Sequence, residues 1–258
     1  MPFIISNTKQ QVCYITLNRP DKFNSFCREM AFELHAALDA AENDPEIRCL
    51  VISGEGKAFC AGQDLAEAIE DNGIELAQIV AEHYNPIIER IRKIEKPVIA
   101  AVNGVAAGAG ANIALCCDVV LASESASFIQ AFSKIGLIPD SGGTFFLPRL
   151  IGLQRATALM MTGEKVGAQD AAQMGMIYKC YPAEQFQEAV QKFAEQLAQM
   201  PTKGLGLTKR LLNASWQNDL SQQLKLEGAV QVEASETHDY QEGVRAFLEK
   251  RPAQFKGH

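Results

Sequence analysis

The sequence predicts an α/β fold whose sheet has many parallel neighbours, and three observations carry that expectation. The runs CLVIS (residues 49–53) and VIAAV (98–102) are uninterrupted apolar stretches of strand length, which read as strands buried on both faces. They alternate with stretches of helical periodicity, at intervals too long for hairpins, so the strands join by crossovers. With 258 residues, 47% of them hydrophobic and 21% charged, the chain can bury one large core or two smaller layers.

In order, residues 3–6 and 12–17 are short apolar or alternating runs separated by the polar stretch 7–10, which is hairpin spacing. Over 28–43, Met30, Leu34, Ala37, Leu38 and Ala41 recur at helical spacing, and Pro45 stops the helix. The buried strand 49–53 ends in a loop, 54–64. A helix over 75–94 leads through Pro97 into the strand 98–102, which again runs into a small-residue loop, 103–110. A third strand, 118–122, precedes the segment FIQAFSKIGLIPDSGGTFFLPR (128–149).

From about Leu153 the pattern turns helical, with helices expected over 154–162, 168–174, 183–200, 202–216, 220–235 and 240–250. The chain therefore divides into a mixed core, 1–200, and a helical region, 201–258. In that region Leu207, Leu211, Leu212, Leu220, Leu224, Leu226 and Val230 must bury their surface on the core or on another subunit.

Several classes of function are disfavoured. A formal net charge of −7 and the lack of a Lys/Arg stripe on the predicted helices offer no general attraction to nucleic acid or anionic lipid. Seven scattered cysteines with no C-x-x-C pair read as reduced core residues. The start MPFIISNTKQ lacks the charged-then-apolar pattern of a signal peptide, and no apolar stretch reaches membrane-span length, so a cytoplasmic enzyme is expected. No metal-binding spacing and no G-x-S-x-G elbow is present, and His35, His83, His238 and His258 are expected at the surface.

Chemistry concentrates in three glycine-containing loops: KAFCAGQDL (57–65), VNGVAAGAGANIALCCD (102–118) and the turn around Asp140. Asp140 lies between Ile138-Pro139 and Ser141-Gly142-Gly143, with no basic residue nearer in sequence than Lys134 or Arg149. Placed on a corner opening a helix, with Phe132, Ile138 and Pro139 excluding water, its carboxylate would carry a raised pKa suited to moving protons. The same residues are ordinary turn chemistry, and this segment alone favours an N-cap or turn aspartate, a balance that the rest of the chain reverses. Gly104, Gly108 and Gly110 follow a strand but are spaced G-x-x-x-G-x-G, which does not fit a dinucleotide fingerprint. Free N–H groups at that helix start, paired with a donor from AGQDL, would form an oxyanion hole; close helix–strand packing would also account for the small residues. Cys60, Cys116 and Cys117 fall nearby and read as packing residues.

The motifs LNRPDKFNSF, KAFCAGQDL, KPVIAAVNGVAAGAGANIALCCDVVLA, FSKIGLIPDSGGTFFLPRLIG and GVRAFLEKRPAQF together resemble the enoyl-CoA hydratase/isomerase (crotonase) superfamily from end to end. The resemblance implies a ClpP-like spiral of strand-strand-helix units with a C-terminal helical trimerisation region, assembled as a homotrimer or dimer of trimers. It implies an acyl-CoA substrate, with coenzyme A as part of the substrate and no separate cofactor or metal. The oxyanion donors fall on the backbone N–H of Gln63 and Ala109, and Lys22, Ala61, Gly62, Gln63, Asp64 and Leu65 fall where coenzyme A binds. The two glutamates that activate water in the family's hydratases are here Asn112 and Phe132, whereas Asp140 stands where hydratases often have glycine. Within the family this pattern is closest to isomerases acting on the ring epoxide of phenylacetyl-CoA, which implies a one-base proton shuttle through Asp140 and leaves a hydratase of the same pathway as a partner. A general enoyl-CoA isomerase or hydratase, and an RNA-binding relative, are the alternatives.

Overall fold

In the computed structural model, which describes residues 2–69 and 75–258, the first part of the chain runs through β1 (Ile4–Lys9), β2 (Val12–Leu17), α1 (Arg28–Asn43), β3 (Cys49–Gly54), β4 (Ala58–Cys60), α2 (Leu65–Ile69), α3 (Leu76–Gln78) and α4 (Asn85–Lys93). It continues through β5 (Val98–Val102), β6 (Val105–Ala107), α5 (Ala109–Cys116), β7 (Val119–Ser123), β8 (Ser127–Ile129), α6 (Gly143–Ile151) and α7 (Leu153–Thr162). Then come β9 (Lys165–Gly167), α8 (Ala168–Gln173), β10 (Lys179–Tyr181), α9 (Ala183–Ala198), α10 (Thr202–Ser215), α11 (Leu220–Ser235) and α12 (His238–Glu249).

The strands form two sheets, ordered β1-β2-β3-β5-β7-β10 and β4-β6-β8-β9. Among the described residues, β1–β2 and β8–β9 pair antiparallel and the other strand pairs are parallel. Each pass of the chain lays one strand in each sheet, β3 then β4, β5 then β6, β7 then β8, which is the spiral that the resemblance implied. The large sheet is covered on both faces, and that is why its central strands lack alternation. Ile99, Ala101 and Leu121 pack with Phe186, Val190 and Ala194 of α9, while Leu50, Ile52 and Ala100 join the main core with Leu34, Leu38 and Ile113.

Most expected elements are present, and the differences have local causes. The polar stretch 7–10 belongs largely to β1, because Gln10 and Gln11 both adopt positive φ and close a two-residue turn that keeps residues as far as Lys9 paired with Val12. The helix expected over 75–94 is helical from Leu76 to Lys93, but Ile79–Tyr84 is wound as a π-helix. His35 and His83 are not at the surface as expected: they lie on the buried faces of α1 and the π-helix, where neither ring nitrogen of His83, Nδ1 or Nε2, has a partner among the described residues and the His83 backbone carbonyl meets His35 Nε2 at 2.9 Å. Burial lowers the pKa of both. The cysteines are all free, and all but Cys180 are buried, as expected.

The helical region is fastened to the core by α10. Its Lys209, 7% exposed, pairs with Asp118 at 2.8 Å, and Arg92 of α4 pairs with the other oxygen of Asp118 at 3.1 Å. Gly206 lets α10 lie against the backbone of Glu95, since a Cβ there would collide with the Glu95 carbonyl. Of the apolar positions marked in the sequence, Leu207 and Val230 are buried, but Leu212, Leu220 and Leu224 are exposed. None of the helices is long and apolar enough to cross a membrane, among the described residues.

Candidate active site

The site lies where the small sheet ends. β4, β6 and β8 are parallel neighbours, with Cys60 opposite Ala106 and Ala107 opposite Ile129, so the segments that leave their C-terminal ends emerge side by side. These segments are Ala61-Gly62-Gln63, Gly108-Ala109 and Gln130-Ala131-Phe132. They meet around a cavity of about 590 Å³, completed by Leu76, Ile79 and Tyr84 on one side and by Leu137 and Asp140 on the other.

Two peptide N–H groups, of Gln63 and Ala109, have no backbone or side-chain acceptor among the described residues. Gly62 brings them together: its φ is +93°, and a Cβ on it would stand 3.0 Å from the Ala107 carbonyl and 3.5 Å from the Ala109 nitrogen. Gly108 adopts φ 54° and ψ −127°, its N–H donates to Ile129 at 2.9 Å, and its carbonyl receives the Asn112 N–H at 3.2 Å. That carbonyl shares a peptide plane with the Ala109 N–H, so fixing one aims the other. Ala109 is the first residue of α5, where helix geometry leaves N–H groups without an intrahelical acceptor. Two adjacent, preset N–H donors in a largely apolar cavity can hold negative charge on one oxygen.

Asp140 is the one carboxylate among the described residues that line this cavity. Burial raises its pKa, opposed in part by the hydroxyl of Ser141, which donates to its Oδ1 at 2.8 Å, and by its own backbone N–H. No cation is paired with it among the described residues. Phe132 is buried beside it as expected, but Ile138 is 81% exposed and shields nothing; Phe132, Tyr84 and Leu137 form the walls instead. The corner is built from left-handed backbone at Ser141 (φ 50°) and Gly142 (φ 72°), after which α6 begins at Gly143. Asp140 is therefore not the N-cap of that helix; Gly142 occupies that position.

Of the coenzyme A candidates, Ala61, Gly62, Gln63 and Leu65 line the cavity. Lys22 does not; it lies exposed in the 3-10 turn Pro20–Lys22, next to Phe23, whose carbonyl receives the Ala61 N–H at 3.0 Å. Asp64 turns away to meet Arg19 at 2.8 Å. Burial opposes its charge, but the Arg19 and Ala66 hydrogen bonds and the charges of Arg19 and Lys22 carry its pKa below the usual range. The motif LNRPDKFN is thereby explained as scaffolding: Asn24, fully buried, donates to the carbonyls of Glu55 and Ala58 and receives the Arg19 N–H, which holds this loop against β4.

Sequence reasoning did not single out Tyr84 or Gln130. The hydroxyl of Tyr84 donates to Gln63 Oε1 at 2.9 Å, and Gln63 Nε2 donates to Glu67 at 2.9 Å. Burial keeps the Tyr84 phenol protonated by raising its pKa well above the usual value. A π-helix displaces the side-chain register by about one residue per turn, so no helical periodicity read from the sequence would aim Tyr84 at the cavity. Cys60 is fully buried behind the loop, and burial pushes its thiol up to about 12, which suits packing rather than nucleophilic attack. No group of three or more potential metal ligands occurs among the described residues.

Comparison with known proteins agrees with this geometry. The enoyl-CoA hydratase/isomerase family model matches residues 7–258. The chain is 47% identical to 1,2-epoxyphenylacetyl-CoA isomerase of Escherichia coli K12, over 100% of this chain and 99% of that protein. It is 45% identical to a protein of Rhodobacter capsulatus named a probable enoyl-CoA hydratase, over 94% of this chain and 93% of the other. The solved structure of enoyl-CoA hydratase from Bacillus anthracis superposes with a TM-score of 0.92 at 34% identity, covering 99% of this chain and 100% of that one. With its spiral of paired strands, its two free N–H donors and a match that runs over nearly its whole length, the chain belongs to the enoyl-CoA hydratase/isomerase family, and its fold is the crotonase fold.

Proposed function

We propose that this protein is an isomerase of acyl-CoA thioesters that moves one proton with one carboxylate, and that its substrate is the ring-1,2-epoxide of phenylacetyl-CoA. The observation that carries the reading is Asp140: a partly desolvated carboxylate that, among the described residues, has no paired cation and is the one carboxylate lining the cavity that also holds the two N–H donors. Asp140 takes a proton from the carbon next to the thioester carbonyl, and the electron pair of that C–H bond moves onto the carbonyl oxygen. The enolate oxygen is held by the N–H groups of Gln63 and Ala109. Asp140 then returns the proton to a more distant carbon of the conjugated system. For the ring epoxide, the bond between the two epoxide carbons breaks, which leaves the oxygen as a member of a seven-membered oxepin, and the proton taken from the acetyl carbon is returned to a ring carbon, so that the product is an isomer of the substrate. The substrate assignment is supported by the similarity to the Escherichia coli enzyme.

Addition of water is disfavoured by the residues at the two glutamate positions. Asn112 and Phe132 cannot accept a proton; Phe132 lines the cavity, and both hydrogen-bonding ends of Asn112 are already engaged. Coenzyme A enters as part of the substrate along Ala61, Gly62, Gln63 and Leu65, with Asp64 in the same segment and Lys22 on the neighbouring turn. No other cofactor is required by this chemistry, and a hydratase that consumes the product is a fitting partner in the same pathway. We place the enzyme in the cytoplasm as a homotrimer or dimer of trimers, with residues 201–258 as the assembling region on the core 1–200. The acidic chain offers nothing to nucleic acid or membranes.

The test is Asp140→Asn, assayed on epoxyphenylacetyl-CoA, 3-hexenoyl-CoA and crotonyl-CoA. Isomerisation should fall roughly 10²- to 10⁴-fold with ester binding nearly unchanged, and substrate deuterated at C2 should retain part of its label in the wild-type product. Because the ionised form is the base, kcat/KM should rise with pH along a limb set above the usual aspartate range, the direction in which burial moves Asp140. An Asp140→Asn enzyme with near wild-type turnover removes the mechanism. Turnover of 3-hexenoyl-CoA but not of the epoxide keeps the mechanism and removes the substrate.

A further inference from the structure

The amide of Asn112 is bonded at both ends, and its partners lead to the catalytic turn. Asn112 Nδ2 donates to the backbone carbonyl of Asp140 at 2.9 Å, and Asn112 Oδ1 receives Gln130 Nε2 at 2.8 Å. Both side chains are buried, at 1% and 4% exposure, and Gln130 Oε1 has no partner among the described residues, so Gln130 has no competing use for its carbonyl end. The turn that Asn112 holds contains a non-glycine residue in left-handed backbone, Ser141, whose hydroxyl sets Asp140 Oδ1. Position 143 is shaped around the same amide: a Cβ there would collide with the Asn112 side chain, and Gly143 has none.

We propose that Asn112, oriented by Gln130, is a positioning residue that fixes the Asp140 carboxylate relative to the oxyanion donors, and that it does so without touching substrate. This deepens the isomerase reading and rests on Asp140 being the base. Asn112 lies in α5, whose first residue carries the Ala109 N–H, and its own N–H receives support from the Gly108 carbonyl. One residue thus ties both halves of the site together: its backbone fixes the peptide plane of the oxyanion donor, and its side chain fixes the backbone of the base. An amide suits this position and a carboxylate does not, because the contact to Asp140 needs a donor while the contact to Gln130 needs an acceptor. A glutamate or aspartate there, when ionised, would oppose the Asp140 carbonyl and add a negative charge beside the base.

The experiment is steady-state kinetics of Asn112→Ala and Gln130→Met on an isomerisable acyl-CoA deuterated at C2, beside Asp140→Asn as reference. Asn112→Ala should lower kcat by about 10- to 100-fold, the scale of a displacement near 1 Å, with KM within about twofold, since the cavity walls and N–H donors do not depend on the amide. A loosened carboxylate gives the abstracted proton more time to exchange with solvent, so label retention in the product should fall as well. Gln130→Met should show the same split at about threefold to tenfold, and it decides the matter if Asn112→Ala does not fold. Unchanged kcat and label retention in the folded variant overturn the proposal, as does a parallel rise in KM that marks general collapse of the cavity. Activity persisting in Asp140→Asn would instead strike the isomerase reading itself, while an inactive Asp140→Asn beside a fully active Asn112→Ala strikes only the positioning role.

Discussion

Replacing Gly108 by alanine should uncouple activity from stability in a way that reports on the oxyanion donor. Gly108 holds φ 54° and ψ −127°, a region that L-residues avoid, yet a Cβ there would meet only the Phe132 ring, at 3.8 Å, which is ordinary contact. The cost is therefore conformational: about 1–3 kcal/mol for the backbone strain, less about 0.4–1 kcal/mol regained because alanine restricts the unfolded chain. For a chain of this size that net loss, about 0–2.6 kcal/mol, lowers Tm by up to roughly 10 °C. The strain is relieved by rotating ψ of residue 108, which tilts the peptide plane carrying the Ala109 N–H. If that donor is lost from the enolate oxygen, kcat falls by up to about 10²- to 10³-fold. Gly152→Ala is the control, since Gly152 also precedes a helix at positive φ (80°) with nothing within 4 Å of an added Cβ, but stands away from the cavity lining. It should lose similar stability and keep its kcat. The assays are thermal melting and turnover of one isomerisable acyl-CoA, and a Gly108→Ala enzyme with lowered Tm but wild-type kcat would refute the role of Ala109.

Asp118→Ala should destabilise the fold by about 3–5 kcal/mol, because it leaves Lys209 and Arg92 facing each other without their shared carboxylate. The melting temperature should drop roughly 6–20 °C, and the deficit should shrink as rising pH neutralises Lys209, whose pKa burial already lowers; a drop below about 2 °C would show that the pair does not fasten α10. The exposed apolar side chains of α11 and α12, including Leu220, Leu224, Phe247 and Leu248, should be covered by other copies of the chain. Light scattering of the intact protein at micromolar concentration should give a trimer or hexamer mass, and a stable monomer would refute this.

What the sequence made legible follows from length and from chemistry. The central strands β3 and β5 appear where their uninterrupted apolar runs place them, and α1 appears where its apolar periodicity does, because each run is long enough to show its pattern. The small sheet was not read at all: β4, β6, β8 and β9 have three residues each, too few for any pattern, and they hide inside what read as loops. Those loops nevertheless hold the two unbonded N–H groups beside glycines at positive φ, Gly62 and Gly108, a backbone conformation that the sequence marks by the residue type. Asp140 is legible as a carboxylate without a basic neighbour in sequence, and of the shield expected from Phe132, Ile138 and Pro139 the buried Phe132 is present, whereas Ile138 is exposed because its direction depends on a turn that the sequence does not specify. Asn112 was read only as a lost glutamate, because a hydrogen bond spanning 28 residues leaves no trace in local pattern.

The same geometry explains why a single fold can carry either chemistry. The two free peptide N–H donors come from the ends of β4 and β6 and belong to the backbone, so under the proposed mechanism they do not depend on which side chains stand at residues 112, 132 and 140. The acid–base groups, by contrast, come from side chains on three separate segments, at residues 112, 132 and 140, and can be exchanged without disturbing those donors. In this chain the carboxylate stands at residue 140, the aromatic ring of Phe132 lines the cavity, and the amide of Asn112 is bonded to the backbone of Asp140, the base of the proposed mechanism. Restoring one glutamate would therefore not restore hydration: at position 112 it would unseat Asp140, and at position 132 it would bury an unpaired charge. The two exchanges are coupled through the Asn112–Asp140 contact, so the isomerase arrangement depends on having both.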